Sequence, residues 1–156
     1  MNPDSQITKK LIESIRRNDR KAQTLLYGQY CRAMYSTSLR ILNHAEDAED
    51  AMQEGFIDAF KSIAAYDESV SFGAWLRRIV INRSIDLLRK RKDYLSFEDV
   101  QLAGEEQESD QKFESTESTE LIIRIKQVMS DLPDGYRLVL SLHLFEGLDH
   151  DEIGTY

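Results

Sequence analysis

Residues 45–63 read AEDAEDAMQEGFIDAFKSI. Ala48, Ala51, Met52, Gly55, Phe56, Ala59, Phe60 and Ile63 recur at three- and four-residue steps, which predicts one helix with a continuous apolar face. Glu46, Asp47, Glu49 and Asp50 crowd its first turns, where the helix dipole favours negative charge. Ile57 falls nearly opposite the apolar face, beside Asp50, Glu54 and Lys61. An exposed aliphatic among charges is ordinary in itself and equally able to anchor a partner.

Outward from this stretch the same period continues. A short helix is expected over about Gln6 to Arg17, with Ile7, Leu11, Ile12 and Ile15 on one side. Asn18 and Asp19 offer caps for a longer helix to about Leu42, its stripe formed by Ala22, Leu25, Leu26, Tyr30, Ala33, Met34, Thr37 and Ile41, with Asn43 as its stop. Residues 64–70 read as a loop, and Ser71 caps a fourth helix to about Lys92 led by Phe72, Trp75, Leu76 and Ile79. From Asp93 to Thr116 periodicity vanishes and Ser, Glu, Asp and Gln dominate, the composition of a linker. Order resumes near Ser118 with an inner stripe of Leu121, Ile122, Ile125, Val128, Met129 and Leu132, ended by Pro133. A further helix over 133–146 carries Tyr136, Val139, Leu140 and Leu144, and Gly147 suits its C-terminal cap. Asp149 with Glu152 then makes a capping-box start for a last helix.

Composition agrees with a helical class. The chain has 156 residues, 41 % hydrophobic, enough for one ordinary domain or two small ones, with only two prolines and seven glycines. No apolar run approaches the ~20 residues of a membrane span, and MNPDSQITKK lacks the apolar stretch of a signal peptide. The single cysteine, Cys31, excludes an internal disulfide framework and a Cys-based zinc cluster and reads as core packing. A soluble, cytoplasmic protein without membrane insertion is expected.

The net charge of −8 conceals its own distribution. Residues 77–92 hold seven basic side chains (Arg77, Arg78, Arg83, Arg89, Lys90, Arg91, Lys92) against Asp86. Residues 93–120 hold ten acidic ones against Lys112. A basic segment abutting an acidic one is the pattern of a nucleic-acid surface beside a solvated tether. Because charges beyond roughly 8–10 Å are screened at physiological salt, the local field decides, and the acidic total does not exclude a nucleic-acid partner. His44, His143 and His150 show no metal spacing, and no Gly-rich phosphate loop, Gly-x-Ser-x-Gly elbow or dinucleotide fingerprint occurs. These residues describe a binding protein, with no catalytic residues, no metal, no cofactor and no small-molecule substrate.

The motifs then point further. DAEDAMQEGF (47–56), FGAWLRRIVIN (72–82) and DLLR (86–89) resemble region 2 of a bacterial RNA polymerase sigma factor of the small extracytoplasmic-function (ECF) class. LPDGYRLVL (132–140) with EGLDHDEI (146–153) resembles the opening of region 4, and no region 3 lies between. The resemblance implies an all-α chain of two small helical domains: a region 2 bundle over 1–92, an acidic linker over 93–117, and the first part of a region 4 helix-turn-helix over 118–156. The chain ends inside the first helix of that motif, so the recognition helix is expected to be absent.

It also implies partners. The helix with Asp47, Asp50, Gln53, Glu54 and Ile57 would dock on the clamp helices of the largest subunit of core RNA polymerase. Loop 66–71 and the helix after it would meet promoter DNA at the minus-ten element. There Arg78, Arg83, Arg89 and Arg91, with the other cations, would take phosphates, and Tyr66, Phe72 and Trp75 unstacked bases. Two alternatives stay open at this level. Phe72, Trp75 and Ile79 suit the core equally, and Asn82 either reads a base edge or bonds Asp86 within its own helix. The linker would occupy the polymerase's nucleic-acid channel or serve as a tether. Such a factor borrows the polymerase's active site and is no enzyme itself, and an anti-sigma factor is an expected partner. The alternative function is a truncated sigma-like module that binds polymerase or an anti-sigma factor without starting transcription.

Overall fold

The computed structural model describes residues 3–95 and 117–156. Its elements are α1 (Pro3–Arg16), α2 (Arg20–Leu42), α3 (Ala45–Lys61), a single 3₁₀ turn (Ile63–Ala65), α4 (Phe72–Leu95), α5 (Glu117–Ser130), α6 (Asp134–Leu144) and α7 (His150–Ile153). All regular structure among the described residues is helical, as expected.

The helix ends follow local chemistry. Asp19 accepts from the Lys21 and Ala22 amides at 2.9 and 3.3 Å, starting α2. Asn43 stops α2 in the left-handed region at φ 49°. Ser71 Oγ accepts from the Ala74 amide at 3.3 Å and opens α4. Gly147 turns left-handed at φ 68° while the Leu148 amide donates back to Leu142 at 3.1 Å, closing α6. Asp149 and Glu152 exchange side-chain and backbone bonds of 2.8 Å each, the reciprocal box that starts α7. The fourth helix runs on to Leu95 because no proline or glycine follows Lys92 to break it. The expected linker therefore loses its first three residues to α4 and Glu117 to α5, and the rest of it lies outside the described residues.

Helices α1 to α4 enclose one core containing Ile12, Leu26, Met34, Phe56, Phe72, Leu76 and Val80. A second cluster joins Ile41 and Leu42 of α2, Ala51 of α3 and Ile81, Ile85 and Leu88 of α4 to the fully buried Leu142 of α6. The C-terminal helices thus rest on the bundle, sharing apolar surface with it.

Several apolar positions differ from their expected roles. Ile7, Leu25 and Ala33 face solvent. On α5, Leu121, Ile122, Ile125 and Val128 are exposed and Met129 alone of the expected stripe up to that point is buried, because α5 meets the bundle only near its C-terminal end, where the Asn43 amide donates to the Ser130 carbonyl at 3.3 Å. On α6, Tyr136, Val139, Leu140 and Leu144 face out. Arg137, Ser141 and Leu142 face in, since the surface they meet is the carbonyl-bearing end of α2.

Gly55 marks the closest approach of α3 to α4. A Cβ there would stand 2.6 Å from Val80 Cγ2 and 3.3 Å from Val80 Cα. Alanine gains up to about 1 kcal/mol in helix propensity, but overpacking against a fully buried valine costs about 1–3 kcal/mol. Gly55→Ala is expected to lower the thermal unfolding midpoint, and an unchanged or raised midpoint contradicts this packing.

Candidate nucleic-acid and partner interface

Helix α3 presents its polar side as one surface. Asp50, Gln53, Glu54 and Ile57 are all exposed, Ile57 at 51 %. Gln53 donates to Glu49 at 3.2 Å, along the same side. Asp47 stands apart from this group. It is half-buried, 2.5 Å from Arg91 Nη2 of α4 and 3.6 Å from His44 Nδ1, so its charge is spent within the fold.

The cations of α4 separate into two sets. Arg83 is ion-paired with Asp58 of α3, and that bond raises the guanidinium pKa above its ordinary value. Arg91 binds Asp47, the Leu42 carbonyl at 3.2 Å and Asp134 at 3.6 Å. Both residues, expected on the DNA surface, fasten α4 to α3 and to the end of α2. Arg78, Asn82, Asp86 and Arg89 follow one another at three- and four-residue steps along an outer stripe. Asn82 is exposed, and the described hydrogen bonds include none between it and Asp86, whose carboxylate lies 3.7 Å from Arg89.

The aromatic expectation is corrected for Tyr66, and Phe72 takes the core alternative left open for it. Both rings are buried, at 5 % and 3 % exposure, because the loop after α3 folds back between α1 and α4. Arg16 holds that loop by donating to the Tyr66 carbonyl at 2.6 Å, and Tyr66 Oη donates to the Val70 carbonyl at 2.7 Å. Tyr66, Phe72 and Trp75 form one ring cluster with centroids 5.1–5.7 Å apart. Burial raises the Tyr66 phenol above its usual pKa, with Glu68 adding to the effect. Trp75 keeps part of its surface. Beside this cluster a cleft of about 400 Å³ opens between α1 and the loop, lined by Thr8, Lys9, Tyr30, Glu68, Ser69 and Phe72. Lys9 and Glu68 are paired at 3.0 Å.

Two charged residues escaped the reading of the sequence. The Glu146 side chain is 4 % exposed and held by Arg40 and Arg77 at 3.0 and 3.1 Å. Arg137 is buried and donates to the Ile41 and Leu42 carbonyls at 3.2 and 3.5 Å. Periodicity carries no signal for Arg137, because Ser141, its neighbour one turn on along α6, is polar as well. Among the described residues no group of three His, Cys, Asp or Glu side chains is placed to hold a metal, and no helix is long and apolar enough to cross a membrane. Cys31 is partly buried against the first core.

The fold and its two charged faces define a helical module whose basic helix backs onto an acidic one. The family model described as Sigma-70 region 2 matches residues 26–94, from within α2 to the last turn of α4. The chain is 33 % identical to the ECF RNA polymerase sigma factor SigW of Bacillus subtilis, over 94 % of this chain and 82 % of the relative. It is 30 % identical to the RNA polymerase sigma-H factor of Pseudomonas aeruginosa, over 93 % and 79 %, and 31 % identical to the ECF RNA polymerase sigma factor SigM of Bacillus subtilis, over 81 % and 76 %. The chain belongs to the ECF family of RNA polymerase sigma factors. Its role is that of a sigma factor in transcription initiation.

The contrast between Asp47 and Glu54 is testable. A partly exposed ion pair contributes about 0.5–1 kcal/mol. Asp47→Asn is expected to lower stability by about that amount in urea unfolding, and Glu54→Gln to leave it unchanged. Equal effects of the two would contradict the assignment.

Proposed function

We propose that this sigma factor grips core RNA polymerase with the outer face of α3 and opens promoter DNA at the minus-ten element along α4. The observation that carries the proposal is the segregation of the two faces on one bundle. Asp50, Gln53, Glu54 and Ile57 are exposed on α3, and Arg78, Asn82 and Arg89 line α4. The ion pairs of Arg83 with Asp58 and of Arg91 with Asp47 fix one helix against the other. A rigid mount of this kind turns binding energy on one side into alignment on the other.

In this reading the arginines neutralise backbone phosphates, and Asn82 reads a base edge through its paired donor and acceptor. Extruding a base costs a few kcal/mol, offset when a pocket captures it. The cleft between α1 and loop 66–71 offers room and a mixed polar and aromatic lining for that base. Tyr66 and Phe72 shape the cleft from within, and the half-buried Trp75 packs behind them. The reaction itself stays with the polymerase, and the chain contributes no reacting group.

A glutamate at position 57 puts charge where an apolar anchor is proposed and leaves the core untouched. Ile57→Glu is expected to abolish retention of core polymerase in a pull-down while the thermal midpoint is kept; normal retention overturns the docking face. Asn82→Ala is expected to reduce promoter-specific run-off transcription more than nonspecific DNA binding. Equal losses in both would overturn its role as a base reader.

A further inference from the structure

We infer that Thr37, Arg40 and Arg77 form a binding site for a DNA backbone phosphate, which Glu146 fills when the C-terminal helices rest on the bundle. The inference rests on the promoter reading above and extends it to a site that this reading does not contain.

The site is built by two helices. Thr37 Oγ1 donates to Glu146 Oε1 at 3.1 Å and Arg40 Nη2 to the same oxygen at 3.0 Å, both from α2. Arg77 Nε of α4 lies 3.1 Å from Oε2. Phe145 lies across Arg40, its ring centre 4.9 Å from Cζ. A carboxylate at 4 % exposure is costly to bury, and three donors carrying two positive charges offset that cost. The helices that carry the cradle do not depend on its occupant. α2 and α4 are joined beneath it by the buried Ser84–Ser38 hydrogen bond of 3.1 Å and by Met34, Leu76 and Val80. Withdrawing Glu146 would therefore leave two arginines on neighbouring, fixed helices without their anion.

The chemistry of the cradle suits a phosphodiester. Arginine forks match phosphate geometry, and the exchange of one carboxylate for one phosphodiester conserves charge. Arg40 Nε is buried and has no acceptor, so the two-oxygen carboxylate leaves one donor unused. The location suits it also. Arg77 adjoins the Arg78–Asn82–Arg89 stripe, and the segment that supplies Glu146 touches both ends of that stripe, its Tyr156 ring lying 5.8 Å from Arg78 Cζ and its Tyr156 carbonyl accepting from Arg89 at 3.1 Å. Glu146 and DNA are thus competitors for one anion site beside the stripe.

The test uses the whole chain and a fluorescein-labelled duplex with a mismatched central bubble, followed by anisotropy across a potassium chloride series. Glu146→Gln removes the competing charge. It is expected to bind the bubble about five-fold or more tighter than the wild type, with a salt slope steeper by about one phosphate contact. Adding Arg77→Gln to Glu146→Gln is expected to return that slope by the same step. Should Glu146→Gln fail to fold by circular dichroism, Glu146→Ala, which also removes the charge, carries the same expectation. Unchanged affinity and slope in the folded variant, or a double variant indistinguishable from Glu146→Gln, overturns the site. If the wild type still directs core polymerase to a start site in run-off transcription, only the cradle falls. If no variant binds the bubble at any salt and no transcript forms, the promoter reading falls with it.

Discussion

The last carbonyls of α2 impose the condition around which the molecule closes. A helix C-terminus leaves backbone acceptors unpaired and a partial negative charge, and here Ile41 and Leu42 are themselves buried. Water is not at hand to satisfy them. Arg137 of α6 and Arg91 of α4 do so, and Asp134 pairs with both arginines while Asp47 of α3 pairs with Arg91. Four helices meet at this one knot of charge. The end of α2 thereby fixes where α3 begins, where the basic half of α4 lies, and why α6 rests on the bundle.

That constraint also explains which parts of the chain could be read beforehand. The acidic face of α3 was legible because a 3.6-residue period separates inside from outside without reference to any other element. The caps at Asp19, Ser71, Gly147 and Asp149 were legible because each is satisfied within a few residues of itself. The cations of α4 were not. Whether an arginine is free or spent depends on carboxylates far away in sequence, Asp58 for Arg83 and Asp47 for Arg91. Tyr66 failed for a related reason: the path of a loop decides whether an aromatic ring is a surface or a core, and periodicity says nothing about loops. The apolar stripe of α6 was misplaced because its partner surface is a polar helix end, which selects Arg137 and Ser141 over Tyr136 and Leu140.

Function follows from the same division of labour. Charges consumed inside the bundle make it rigid, and charges left outside give it two different faces. A sigma factor has to couple a large enzyme to a few bases of DNA, and a bundle with stitched helices transmits position between them without needing a hinge of its own. The C-terminal helices add a second layer to this scheme. Their anchoring charges, the Glu146 side chain and Arg137, are buried ionic groups that contact the bundle directly.

Site-specific photo-crosslinking in a single initiation complex tests the central claim most directly. A crosslinking amino acid at position 57 and, separately, at position 82 would be activated in the presence of core polymerase and promoter DNA together. The account expects position 57 to label the largest polymerase subunit and not DNA, and position 82 to label promoter DNA near the minus-ten element. Labelling of DNA from position 57, or of polymerase alone from position 82, would contradict a bundle that works with opposite faces.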